Sequence, residues 1–354
     1  MTDINKQYGI VLCGLGRMGK IHLKNIMGNR KLRLEYIIET DLEKANKTVT
    51  ENGLNNTKVV DFVNAKQAIT DDSVQGVIIC TPTHTHEDLV LMTLHAGKHT
   101  LCEKPLATNL KKAAECYKLA EKQNVILLCA FNRRFDPQLR ELYCRKSELG
   151  LVQSIKICSR DSPRPPIEFL RISGGIFHDC IVHDMDMARW MTGEEPEMVY
   201  SIAHCHDPEI QALDDHDSVF VVMKFPSGIL AHIDVSRHCL FGYDQTVQLY
   251  GSKGNLISGN PRKSGLISDG GNVNDDIFYS FTDRYEKAYI QELVHFVELM
   301  ENPNAECCIK PKDTLQASFL SQAAEDSWKE KRTIDVNKHR NLILGELAEH
   351  HLFK

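Results

Sequence analysis

Between residues 174 and 190 the chain reads Gly-Gly-Ile-Phe-His-Asp-Cys-Ile-Val-His-Asp-Met-Asp-Met-Ala-Arg-Trp, which places an acid and an imidazole at a spacing suited to proton transfer. In a helix Asp179 and His183 lie one turn apart on one face, because positions i and i+4 stack, and Asp186 continues the row. Ile176, Phe177, Cys180, Ile181, Val182, Met185, Met187 and Trp190 occupy nearly every other side. A helix so apolar all round is expected to be buried, and a buried carboxylate and imidazole need polar partners. Either a structural hydrogen-bond network supplies them, or the row faces a hydroxylated ligand.

Lys104 is the third group of this kind. It follows the apolar run Thr100 to Cys102 and precedes Pro105, which disfavours helical geometry at Lys104 and lets its ammonium project from a strand end. Beside a bound cation in a dry cleft, such a lysine titrates below its ordinary value through desolvation and like-charge repulsion. The alternative is a surface Lys–Glu pair with Pro105 opening a helix at Leu106.

A nicotinamide is expected because of what opens the chain. Gln7 to Cys13 reads as a strand, Gly14-Leu15-Gly16-Arg17-Met18-Gly19 follows at once, and Ile21, Leu23, Ile26 and Met27 then recur with helical spacing. A lone G-x-G-x-x-G is a weak signal, but this one has the flanking strand and helix its mechanism requires. The first glycine allows the tight turn, the second lets the backbone approach a pyrophosphate, and the third lets helix and strand pack. The N–H groups of the helix N-terminus face the anion. A second apolar run, Leu34 to Ile38, ends in Glu39, near the offset expected for the acid that holds an adenosine ribose. Glu39 would repel a 2′-phosphate, and no Arg or Lys immediately follows it, so NAD is expected over NADP. Glu39 read otherwise is a plain strand-end carboxylate.

These groups need a frame. Strand-like runs recur at Val59-Val60, Val77 to Cys80, Thr100 to Cys102 and Val125 to Ala130, with helical segments between, which argues for a doubly wound parallel sheet of the Rossmann kind. Ligands of such sheets bind at the carboxyl ends of the strands. Those ends carry Thr81-Pro82-Thr83-His84-Thr85-His86, Glu103-Lys104-Pro105 and Phe131-Asn132-Arg133-Arg134-Phe135-Asp136. His86 is expected to touch ribose or nicotinamide or to cap the following helix. Neither His84 with His86 nor His204-Cys205-His206-Asp207 has convincing further ligands, and no metal is expected. Beyond Arg133 the pattern changes. Val152 to Cys158, Met198 to Ala203, Ser218 to Phe225, Ile229 to Ser236 and Gln245 to Tyr250 read as strands without long helices between most of them. The expectation is an α/β chain: a Rossmann domain over residues 1–131, an α+β domain with a large, mostly antiparallel open sheet over 132–336, and a tail over 337–354. Asp283 to Met300 and Asp313 to Lys331 are expected as helices. An open sheet invites a second copy, so a homo-oligomer, dimer or tetramer, is expected through it.

Composition bounds the function. The 354 residues carry a formal net charge of −6, which leaves no footprint for nucleic acid or an anionic membrane surface. No apolar stretch approaches the ~20 residues of a membrane span. The N-terminus lacks the basic-then-apolar layout of a signal peptide, and the 12 cysteines are scattered without a C-x-x-C pair. Reduced thiols in a cytoplasmic protein are expected.

Taken together, G-x-G-x-x-G, Glu-Lys-Pro after the fifth strand, Asn-Arg-Arg-Phe-Asp-Pro, Ser-Arg-Asp before a proline-rich loop, and GG-I-F-x-D-x-x-x-H-D-x-D-M-A-R resemble the glucose–fructose oxidoreductase/inositol dehydrogenase (Gfo/Idh/MocA) family. These motifs spread over both expected domains. The resemblance implies the activity of an inositol 2-dehydrogenase: NAD-dependent oxidation of a polyol, with Lys104, Asp179 and His183 as catalytic trio. It also implies substrate or cofactor contacts near Arg133, Asp161, Arg237, Tyr243 and Tyr285. The cofactor is expected on Gly14, Gly16, Arg17, Met18, Gly19, Glu39, Thr81, Pro82, His86, Glu103 and Lys104. Two positions depart from the pattern: Glu39 stands where many relatives have Asp, and His178 where a small or apolar residue is usual. A dehydrogenase or reductase of another sugar is the neighbouring reading, and a non-catalytic NAD-binding sensor the more distant one.

Overall fold

A computed structural model describes residues 6–264, 275–344 and 352 of the chain. It divides into two compact units, residues 1–131 with 289–311 and residues 132–288 with 312–354.

In the first unit, strands β1 (Tyr8–Cys13), β2 (Leu32–Ile38), β3 (Lys58–Val60), β4 (Gly76–Ile79), β5 (His99–Glu103) and β6 (Leu127–Ala130) form one sheet in the order β3-β2-β1-β4-β5-β6. Every pairing is parallel. All residues of β1 and β4 are buried, as strands covered on both faces must be, which is why they read as continuous apolar runs. Chain order reverses between β1 and β4, so the crevice at their carboxyl ends is the switch point where such sheets take ligands. The glycine turn sits there. Gly14 has φ +89°, and a Cβ on it would lie 2.9 Å from the Cys80 carbonyl oxygen after β4. A Cβ on Gly19 would come within 1.9 Å of the Gly14 carbonyl oxygen, so the helix Arg17–Gly28 reaches the strand only because position 19 is bare.

Residues 289–311, assigned from the sequence to the second domain, pack with the first unit instead. Phe296 and Met300 of the helix Glu286–Glu301 close over Gly76, where a Cβ would lie 3.3 Å from each and 2.9 Å from Ile10 Cδ1. Charge spacing along that helix gave no hint of which sheet it covers.

In the second unit, β7 (Val152–Arg160), β8 (Met198–His204), β9 (Ser218–Lys224), β10 (Leu230–Ser236), β11 (Asp244–Gly251), β12 (Gly254–Ser258) and β13 (Ile334–Asp335) form a sheet in the order β12-β11-β7-β10-β9-β8-β13. Only the β7–β10 pair is parallel. Burial alternates along β9 and β10, with Val219, Val221, Met223, Ala231, Ile233 and Val235 inward. The helix Pro311–Glu330 is tied to β8, where Ser201 Oγ donates to the Ala324 carbonyl and Trp328 Nε1 donates to the Ala203 carbonyl at 3.3 Å. Residues read as the start of a tail form the helix Val336–Leu344, whose His339 Nε2 lies 2.7 Å from Asp326 Oδ2.

The two glycines separate stability from open space. Gly19→Ala is expected to lower folding stability by about 1–3 kcal/mol, the usual range for overpacking. Gly16→Ala, whose Cβ would meet nothing within 4 Å, is expected to stay within about 0.5 kcal/mol of the parent. Urea denaturation midpoints of both variants, read against the parent, check the contrast.

Candidate active site

The first unit supplies a dinucleotide cradle. The helix Arg17–Gly28 has no side-chain cap at Gly16 and no acid in its first turn, so its N–H groups face outward uncompeted by a carboxylate. Gly16 and Arg17 are exposed, Met18 is half-buried, and Gly14 and Gly19 are buried, so the loop offers bare backbone at its tip. Glu39 braces the turn: its Oε2 accepts the Leu15 N–H at 2.7 Å and its Oε1 the Thr40 N–H at 2.8 Å. Burial opposes its charge, but the amides of Leu15, Asp41 and Thr40 prevail and hold its pKa below the ordinary carboxylate value. A carboxylate fixed here suits a ribose diol and disfavours a 2′-phosphate.

Two residues expected to touch the cofactor point inward instead. His86 is 1% exposed, with Nδ1 2.8 Å from the Pro105 carbonyl oxygen and Nε2 2.7 Å from the Thr81 carbonyl oxygen. Burial pushes its pKa down against the pull of those carbonyls. Its part is to tie the loop after β4 to the loop after β5, which places Lys104, rather than to meet a ligand. Glu103 is 8% exposed and its Oε1 lies 3.0 Å from Nε2 of His22 on the glycine-loop helix. Lys104 itself is half-buried, and Thr81 and Pro82 remain at least partly exposed at the rim. Sequence reasoning passed over His22 and over Glu292, which looks like an ordinary helix carboxylate. Glu292 is 0% exposed, and neither of its oxygens has a hydrogen-bond partner among the described residues. Burial first, and the charge of Glu103 second, push its pKa well above the carboxylate range.

The second unit holds the acid–imidazole row. The stretch opens with a wide π turn over Phe177–Ile181 and continues as the α-helix Val182–Thr192. Between Ile176 and Trp190 only His178, Asp179, Cys180, His183 and Trp190 keep partial exposure; the rest are buried. Asp179 Oδ2 accepts from Arg237 Nη1 at 3.0 Å, and Arg237 Nη2 donates to Asp215 Oδ2 at 3.1 Å. Arg237 is 0% exposed, and although burial opposes its charge, the Cys180 thiol and the carboxylates of Asp179 and Asp215 hold its pKa above the ordinary value. Asp161, at the end of the Ser-Arg-Asp motif, lies 3.6 Å from the Cys180 Sγ, and burial followed by the Asp179 charge raises its pKa. Tyr243 and Tyr285 meet edge to face with ring centroids 5.9 Å apart, and burial raises both hydroxyl pKa values, so they remain neutral.

Two expectations for this unit need correction. Asp186 does not extend the row: it forms a bidentate pair with Arg134, at 2.6 and 2.8 Å, inside the core. Arg133, expected near substrate, has its Nη1 engaged by Ser159 at 3.1 Å and by Asp184. Its guanidinium lies 6.0 Å from the Tyr285 ring, so it supports that ring from behind a committed ion pair. His178, the departure beside Asp179, is turned to Glu325, with Nε2 3.1 Å from Oε2. Asp184 and Asp215 were missed. The one available signal was that an acid inside an apolar helix requires a partner, and the partners lie far off in sequence.

Residues 8–131 match the family described as an oxidoreductase family with NAD-binding Rossmann fold, and residues 138–257 match the GFO/IDH/MocA C-terminal domain. The chain is 33% identical to a myo-inositol 2-dehydrogenase of Thermotoga maritima over 93% of its length and 98% of the relative's. It is 36% identical to an inositol 2-dehydrogenase of Rhizobium meliloti over 92% and 98%. The crystal structure of a myo-inositol dehydrogenase from Corynebacterium glutamicum superposes with a TM-score of 0.83 at 31% identity, covering 93% of this chain and 98% of that one.

An acid whose pKa is raised by folding holds its proton more tightly in the folded state. Its effect is therefore absent below the unfolded value of about 4.3 and lowers stability progressively as pH rises above it. Glu292→Gln keeps the shape and removes the ionisation. The variant is expected to melt higher than the parent at about pH 8 and at nearly the parent temperature at about pH 4.5; a gain independent of pH would place the effect elsewhere.

Proposed function

This chain belongs to the GFO/IDH/MocA oxidoreductase family and is an NAD-dependent dehydrogenase, and on that premise we propose that it oxidises a secondary alcohol of a cyclitol, myo-inositol to its 2-keto inosose. The observation that carries the reading is the half-buried set of Asp161, Asp179 and His183 on an otherwise buried scaffold, backed by Arg237 and the neutral Tyr243 and Tyr285. Donors and acceptors of these kinds suit a ring with a hydroxyl on every carbon. They also select sharply, because an analogue lacking one hydroxyl leaves a buried group unmatched.

NAD, when bound, supplies the hydride acceptor. Gly14, Gly16, Arg17, Met18 and Gly19 hold its pyrophosphate and Glu39 its ribose, with Thr81, Pro82 and Lys104 along the rim. His183 takes the proton of the reacting hydroxyl, a role suited to an imidazole whose ordinary pKa of about 6.5 lies near working pH. Lys104 donates a hydrogen bond to the same oxygen and stabilises the charge that develops on it. Asp179, with one oxygen fixed by Arg237, orients Lys104 or grips a neighbouring hydroxyl. Asp161, Tyr243 and Tyr285 bind the remaining hydroxyls, and Arg133 and Arg237 hold them in place.

The outer face of the second sheet supports a homo-oligomer. Ile202, Phe220, Val222, Leu230, Tyr250 and Ile257 are each at least 38% exposed. Strand register puts Val222, His232, Lys156, Gln248 and Ile257 in one row across it. Apolar surface of this extent on one face invites burial against a second copy.

His183→Ala is expected to lower kcat by ~10²–10⁴-fold, the usual worth of a general base, with NAD affinity preserved. Parent-like turnover would remove His183 from the chemistry. NADH absorbance with myo-, scyllo- and chiro-inositol, glucose and xylose tests the substrate. A preference for an aldose would favour the sugar reading, and tight NAD binding with no reduction by any of them the sensor. On the cofactor side, kcat/KM with NADP equal to that with NAD would overturn the role of Glu39. Val222→Glu is expected to shift the sedimentation coefficient to that of a monomer.

A further inference from the structure

Outside the cofactor cradle, the first unit contains a second arrangement of ionisable groups that the dehydrogenase chemistry does not use. The helix Glu286–Glu301 carries His295 and Glu298 one turn apart, and the following loop brings Cys307 and Cys308 back to them. Glu298 Oε2 lies 3.2 Å from His295 Nδ1, and Cys308 Sγ lies 3.4 Å from His295 Nε2. The Cys308 amide N–H also donates to Nε2, at 3.2 Å. With the ring neutral, that contact makes Nε2 the acceptor and leaves the ring proton on Nδ1, beside Glu298. Carboxylate, imidazole and thiol thus stand in series. His295 is 8% exposed, while both cysteines are half-exposed and can be reached from solvent. The cluster lies toward the amino ends of the strands, since Phe296 and Met300 of the same helix meet Gly76 at the start of β4. The glycine turn is at the carboxyl ends.

We propose that Cys308 is a modification site: a nucleophilic thiol, activated by His295 and Glu298, that reacts with hydroperoxides and is resolved by Cys307. His295 accepts the Cys308 proton and leaves a thiolate, the reactive form of the group. Burial alone would push the imidazole down, but the thiols of Cys307 and Cys308 and the Glu298 carboxylate outweigh it and push its pKa up to about 10. The thiolate attacks the distal oxygen of the hydroperoxide. An S–O bond forms, the O–O bond breaks, and the His295 proton goes to the departing alkoxide or hydroxide. Sulfur is oxidised to the sulfenic acid, and the hydroperoxide is reduced to an alcohol or water. Cys307, whose Sγ donates to the Ile309 carbonyl at 3.1 Å in the resting state, then attacks the Cys308 sulfur. The S–S bond forms, the S–OH bond breaks, and water leaves with the Cys307 proton.

The exposed Cys144 provides a control within the same molecule. Full-length protein is alkylated with iodoacetamide across a pH series and the rate at each cysteine is read by peptide mass spectrometry. At about pH 7, Cys308 is expected to react ~10-fold faster than Cys144, with a midpoint at lower pH, and Glu298→Gln to move that midpoint upward. Glu298 is largely exposed, so this variant leaves the packing intact. With hydrogen peroxide, the parent is expected to lose two hydrogens in the Cys307–Cys308 peptide. Cys307→Ser is expected to stop at a sulfenic acid that dimedone traps on Cys308. A Cys308 midpoint at or above that of Cys144, or oxidation of Cys144 before Cys308, overturns the proposal.

Discussion

A helical stretch that carries Asp179, His183, Asp184, Asp186 and Arg189 can be buried only if its charges are paired, and this requirement shapes the second unit. Asp184 meets Arg133 and Ser159; Asp186 meets Arg134; Arg189 meets Glu195 through two bonds of 2.6 and 2.7 Å. Arg134 and Arg189 also share Asp313 at the start of the helix Pro311–Glu330. Removing one member of such a pair strands the other charge at a cost of about 3–5 kcal/mol, even where the intact pair adds little net stability. The pairs therefore act as locators. The segment Asn132–Phe135, supplying two successive arginines, sets both the rotation and the depth of the helix, and Asp179 and His183 inherit their orientation from it. A single wide turn at Phe177–Ile181 completes the arrangement, and such turns are frequent where a helix must present a functional group.

This explains which parts could be read from the chain. The central strands β1 and β4 announced themselves as continuous apolar runs because both their faces are covered, and the glycine turn because Gly14 and Gly19 each answer a different steric demand. That Glu39 stands at that turn was legible from its distance to it in the chain. The open sheet followed from period-2 alternation. Pairing across long stretches was not legible. Asp184 and Asp186 look alike in sequence to Asp179; what sets them apart is full burial, at 0% and 1% exposed, against arginines 51 and 52 residues earlier. Likewise His86 resembles a rim ligand until two carbonyls are found on its ring. Residues 289–311 return to the first sheet because Gly76 leaves a space for Phe296 and Met300, a fit that no local periodicity records.

The acids of this protein divide by what surrounds them, and the division follows the chemistry each place needs. Glu39 is partly buried yet ionised, since backbone amides of Leu15, Thr40 and Asp41 converge on its oxygens. A charge there suits the ribose contact proposed for it, because a diol is a donor and a phosphate is an anion. Among the described residues no backbone amide meets the Asp161 carboxyl, and burial followed by the Asp179 charge raises its pKa. Like charges at close range cannot both be held cheaply, so the burden falls on the carboxyl without an arginine. Arg237 bonds Asp179 and Asp215 directly and reaches Asp161 only through its field. One arginine thus separates three carboxyls: it bonds Asp179 and Asp215 directly, while burial and the Asp179 charge push the pKa of Asp161 up.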